Sequence, residues 1–116
     1  MGNPMHEEAP LACNINAIPG NDQARYRDLM TRLRASIRGR TELPFGYSYT
    51  LTTESLSLPE LADWVTLERL CCPFLNFLIE IDAAGVVHLT VRGPKGVKQV
   101  LEEEFPDHAW LRPFGY

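Results

Sequence analysis

Between residues 45 and 52 the chain alternates strictly, with Phe45, Tyr47, Tyr49 and Leu51 on one side and Gly46, Ser48, Thr50 and Thr52 on the other. Side chains of a strand point to opposite faces in turn, so this segment reads as a strand with one dry face and one wet face. A sheet built that way must cover its dry face, and helices are the usual cover. Three helical stripes are present to do so. Tyr26, Leu29, Met30, Leu33 and Ile37 recur at helical spacing, with arginines on the remaining faces. Ser57 and Glu60 form a capping box around Pro59, ahead of a helix whose dry side carries Leu61, Trp64, Val65 and Leu67. After Gly93-Pro94, the residues Val97, Val100, Leu101 and Phe105 make a third stripe.

The remaining punctuation divides the chain further. Residues 11–18 show an apolar alternation broken by asparagines and read as a short first strand. Pro19-Gly20-Asn21 is a turn, Asp22 can cap the first helix, and Gly39 is a natural stop for it. Pro73 ends the second helix, because the residue before a proline avoids helical backbone angles. Residues 74–81 and 86–92 read as a hairpin joined by a turn at residues 82–85. The expectation is an α+β fold, a two-layer sandwich of about four strands with helices on one face, in the order β-α-β-α-β-β-α. Residues 1–10 read as a flexible tail and residues 11–116 as one α+β domain. The last eleven residues are rich in aromatics, suited to covering a sheet edge or meeting a second copy in a homodimer.

Charge and composition exclude several classes of partner. The chain has 116 residues, 45% of them hydrophobic and 22% charged, within the range of one ordinary globular domain. A net charge of −4 argues against nucleic acid, whose phosphates need a basic surface. No apolar run is long enough to span a membrane, and the acidic, polar start is unlike a secretory signal. A cytoplasmic protein with free thiols is the simplest expectation. Nothing in the sequence calls for an organic cofactor.

Chemistry gathers at Glu68-Arg69-Leu70-Cys71-Cys72-Pro73-Phe74. Adjacent Cα atoms lie closer than a disulfide ordinarily requires, so Cys71 and Cys72 make a poor bridge with each other. Held at a helix end, they can present two thiolates to one soft ion, with Cys13 as the remaining thiol. Such ligands favour Cu(I), Zn²⁺ and, by the same softness, Hg²⁺ and trivalent arsenic. A structural zinc site wants four ligands, for which Glu68 or His88 would have to complete the set. Glu68 and Arg69 precede Cys72 by four and three residues and can share its side of the helix. Glu68 would then orient or neutralise the site, and the Arg69 guanidinium would favour thiolates.

These residues also carry a resemblance. Leu11-Ala12-Cys13-Asn14, the Glu-Arg-Leu-Cys-Cys-Pro-Phe segment, Gly46-Tyr47 and Gly93-Pro94 with Gly96-Val97-Lys98 resemble a family of small uncharacterised bacterial proteins. The resemblance runs from about Leu11 to Phe105. It implies an association with heavy-metal, especially mercury, resistance, links Cys13 to the Cys71-Cys72 pair, and implies no particular activity.

Three functions follow as expectations. The first is binding of a soft metal or metalloid through Cys13, Cys71 and Cys72, for sequestration, delivery or detoxification. The second is a thiol-dependent lyase or reductase acting on a small thiol-reactive ligand. There one cysteine attacks, another traps the product, and Glu68 moves a proton. The third is an interaction module whose cysteines are buried as small apolar side chains.

Overall fold

The second helical stripe folds as its cap dictates. In the computed structural model, which describes residues 11–106, the Ser57 side chain accepts from the Glu60 N–H while the Glu60 carboxylate accepts from the Ser57 N–H at 3.0 Å. The first helix is differently begun. A 3₁₀ turn at Gly20–Asp22 leads into α1, Gln23–Ser36. Asp22 stands at the cap position, but its side chain makes no capping bond. Gln23 instead donates back to the Ile18 and Ile15 carbonyls at 3.0 and 3.3 Å, tying the preceding segment to the helix.

After α1 come β1, Ile37–Leu43, and β2, Gly46–Leu51, then α2, Leu58–Cys71. The chain ends its described part with β3, Asn76–Ile81, β4, Val87–Arg92, and α3, Val97–Glu104. All three pairings are antiparallel, and the sheet order is β1-β2-β4-β3. The fold is α+β, with the helices packed on one face of a four-stranded sheet. The dry face presents Tyr47, Tyr49, Leu51, Val87, Leu89 and Val91. Trp64 of α2 is fully buried against it, edge-on to Phe77 and Phe105. The opposite face carries Ser48, Thr50, His88 and Thr90, as the alternation requires. None of the described helices is long and apolar enough to cross a membrane.

The order of elements is α-β-β-α-β-β-α, which moves one strand relative to the sequence expectation. Residues 11–18 form no strand. Asn14 caps a 3₁₀ turn at Ile15–Ala17 by accepting from the Asn16 N–H, and a bond to its own backbone competes with strand pairing. The fourth strand is β1 instead. Gly39 lies inside it, where the register slips between Ile37 and Gly39, so this glycine marks a strand irregularity and not a helix end. Of the expected tails, residues 1–10 and all of 106–116 but Pro106 lie outside the described residues.

Glycine is required at Gly46, on β2, where an added Cβ would collide with the Val91 carbonyl of β4. Gly96 has φ of 94° and begins α3 from the left-handed region that other residues rarely enter.

Candidate thiol and carboxyl site

α2 ends at Cys71 because Pro73 withdraws Cys72 from helical geometry; Cys72 has φ −128° and ψ 76°. Its N–H still bonds the Glu68 carbonyl at 2.7 Å, so the Cys72 side chain is carried one helical turn above Glu68. The segment before α1 approaches the same helix end. The Asn14 N–H donates to the Cys71 carbonyl at 2.8 Å, which sets Cys13 beside Cys72. Cys13 and Cys72 pair as a disulfide, with 4.6 Å between their Cα atoms. The expectation of three free thiols is therefore corrected: Cys71 alone keeps its thiol. The pairing joins two segments that helix and turn geometry bring together, while the adjacent cysteines stay unbridged as expected.

The three sulfurs nonetheless converge. Ligand atoms of Cys13, Cys71 and Cys72 all lie within 4.8 Å of one another, as do those of Cys13, Glu68, Cys72 and Glu104. Cys71 and Cys72 are buried, whereas Cys13 is half-buried.

Glu68 is fully buried. Tyr26 of α1 donates its hydroxyl to Glu68 Oε1 at 2.6 Å, and Glu68 Oε2 lies 3.3 Å from Cys72 Sγ. Glu104 Oε2, from the last turn of α3, stands 3.5 Å from the same sulfur. Two carboxyls in one dry place cannot both be charged, and they lie within hydrogen-bonding reach of each other. Burial is the main cause that raises the Glu68 carboxyl above its ordinary value. Burial first, and then Glu68, pushes Glu104 up to about 9, so the pair keeps a proton at neutral pH. Glu104 Oε1 has no donor among the described residues. The Arg34 guanidinium of α1 pulls the other way on both carboxyls, and its Nε donates to the Glu104 carbonyl at 2.7 Å. Burial, reinforced by the Glu68 charge, pushes the Cys71 thiol up to about 11.

Glu68 is thus where the sequence places it, and two other residues are not. Arg69 lies exposed on α2 and is not among the groups that move the Cys71 thiol, which is raised and not lowered. Three residues before Cys72 suffices to share a helix side only while the helix continues, and it stops at Cys71. His88 sits on the face of β4 away from the helices, with Nε2 3.1 Å from Asp82 Oδ2 and Nδ1 3.5 Å from Thr50 Oγ1. It belongs to neither converging set. The alternation along β4 decides this, since Val87 and Leu89 on either side point into the core.

Tyr26, Arg34 and Glu104 are site residues that motif reading passes over. Tyr26 belongs to the apolar stripe of α1, where an aromatic is ordinarily core. Glu104 stands seven residues after Val97, on the same helical stripe as Val97, Val100 and Leu101, which are buried. That position was a legible signal within an otherwise acidic run.

Compared with protein-family models, curated proteins and solved structures, the chain matches none of them.

Proposed function

We propose that the reduced protein binds a soft metal or metalloid ion through Cys13, Cys71 and Cys72, and that the Cys13–Cys72 disulfide is its closed form. The single observation that carries this reading is the convergence of three sulfurs within 4.8 Å. Three thiolates at that spacing suit Hg²⁺, trivalent arsenic or Cu(I), which accept low coordination, better than zinc, which wants a fourth ligand. The ion is cargo, taken up for sequestration, delivery or detoxification in a reducing cytoplasm, where thiols are kept free. The resemblance to proteins associated with mercury resistance points the same way.

Native mass spectrometry under anaerobic conditions tests it. Reduced protein, oxidised protein and Cys13→Ser are titrated with Hg²⁺, trivalent arsenic, Zn²⁺ and Cu(I). The expected result is one tightly held soft ion per reduced chain, weaker retention by Cys13→Ser, and none by the oxidised form. Equal retention by oxidised and reduced protein, or by neither, would remove the reading.

A second reading, a thiol-dependent lyase or reductase, is favoured by one observation: two carboxyl groups stand 3.3 and 3.5 Å from Cys72 Sγ. Placed there, a carboxyl can hand a proton to Cys72 as it leaves a disulfide or to a carbon leaving a metal. Turnover of a disulfide or organometal substrate, slowed by Glu68→Gln with ion binding intact, separates this reading from simple binding.

A further inference from the structure

Beside the sulfurs, between α1 and the end of α3, lies an open groove of about 300 Å³ lined by Tyr26, Arg27, Met30, Thr31, Arg34 and Glu104. Two of these residues belong to both places. Tyr26 carries the hydroxyl bonded to Glu68, and Glu104 carries the carboxyl beside Cys72. The groove therefore borders residues that surround Cys72. Its α1 wall, which carries Tyr26, also carries two arginines, in a protein of net charge −4.

The cations of this wall differ from the neighbouring ones in how they are used. Arg25 is paired with Asp63, and Arg32 with Asp28 and Glu60. Arg27 has no acidic partner among the described residues and is exposed. Arg34 is anchored through Nε by the Glu104 carbonyl, which fixes the plane of its guanidinium at the groove. Two guanidiniums, groups suited to binding carboxylates, thus line a groove bordered by the Tyr26 hydroxyl and the Glu104 carboxyl that adjoin the sulfur cluster. Soft ions do not travel bare in the presence of thiols; they travel as thiolate complexes, and small soluble thiols commonly carry carboxylates.

We propose that this groove docks the carboxylate-bearing thiol that carries the soft ion, and that the ion passes to the cysteines by ligand exchange. This rests on the ion-binding reading above. In each exchange one metal–sulfur bond to the carrier breaks and one to a cysteine forms. The cysteine's proton leaves on the carrier sulfur, which departs as a free thiol, and no electrons are transferred. Arg27 and Arg34 are positioning residues in this step, since they hold the carrier and do not touch the ion.

The test uses reduced full-length protein and two probes, Hg²⁺ as its complex with mercaptosuccinate and Hg²⁺ as its complex with 2-mercaptoethanol. Transfer is followed by quenching at timed intervals and measuring the mercury-loaded chain by native mass spectrometry. Arg27→Gln is expected to slow transfer from the mercaptosuccinate complex roughly fivefold, the worth of one exposed charge pair. It should leave transfer from the neutral complex unchanged, and Arg27→Lys should restore most of the rate. Added salt should weaken the preference for the anionic complex. Equal rates for the two carriers in wild type, or equal slowing of both in Arg27→Gln, would overturn the groove as a carrier site while leaving ion binding intact. Absence of transfer from either carrier, together with no uptake of Hg²⁺ in the titration above, would overturn the ion-binding reading itself.

Discussion

Replacing Tyr26 by Phe removes one hydroxyl and leaves the α1 stripe otherwise unchanged. That hydroxyl is a hydrogen-bond donor to a fully buried carboxyl, so its loss leaves Glu68 Oε1 without the partner it has at 2.6 Å. The expected destabilisation is about 1–3 kcal/mol, the usual penalty for orphaning a buried polar atom. Urea unfolding of Tyr26→Phe against wild type measures it, and a loss within error would mean that Glu68 finds another donor. The same residue shows what pattern reading misses. A tyrosine on a helical stripe is half an apolar side chain and half a polar one, and spacing reports only the first half.

At the scale of elements, α2 is held at one end by its cap and at the other by the cysteine pairing. The Ser57 bond and the Arg32 guanidinium hold the Glu60 carboxylate down to about 2, against an ordinary value of 4.5. A group whose folded value is depressed contributes stability that is complete above its ordinary value and is lost as pH falls through the folded one. The unfolding midpoint of wild type should therefore exceed that of Glu60→Gln by a constant amount above pH 4.5. The gap should close between pH 4.5 and about 2. A gap that persists at lower pH would assign the effect to packing and not to charge. Ser57→Ala should cost about 1 kcal/mol by removing the other half of the box. The box was plain in the sequence because both partners lie within four residues. β1 was not, because it is an edge strand with Arg38, Arg40 and Glu42 among its seven residues. Charges there suit an edge that must not pair with another chain, and Gly39 and Thr41 stand where the alternation by which a strand is recognised would need apolar residues.

For the whole molecule, the disulfide ties the segment before α1 to the end of α2 across 59 residues of chain. The loop-closure account of such a link gives ~4 kcal/mol of stabilisation. Reduced wild type and Cys13→Ser should unfold at the same, lower denaturant concentration, with oxidised wild type well above both. Coincidence of all three curves would mean that the link does not persist in solution. The same comparison bears on the proposed function, because a protein that opens its ion site by reduction must remain folded when reduced. Cys72 belongs to the buried core that holds Trp64 and Phe105, but the apolar side chains of that core are held by packing across the sheet and helices and not by the link, which is the reason to expect that it does.

By itself the sequence determined the α+β class, the three helices, the one-sided sheet, the capping box and the helix end at Cys71-Cys72. All of these follow from periodicity and from residues a few positions apart, where backbone geometry alone relates one side chain to the next. It also singled out Cys13, Cys71, Cys72 and Glu68, residue types whose chemistry is distinctive in any context. Only the tertiary structure decided that Cys13 pairs with Cys72, that Glu104 and Tyr26 join Glu68, and that His88 and Arg69 stand apart. Each of those relations depends on the direction in which one element leaves another, which is set by packing across the core and has no local signature in the chain.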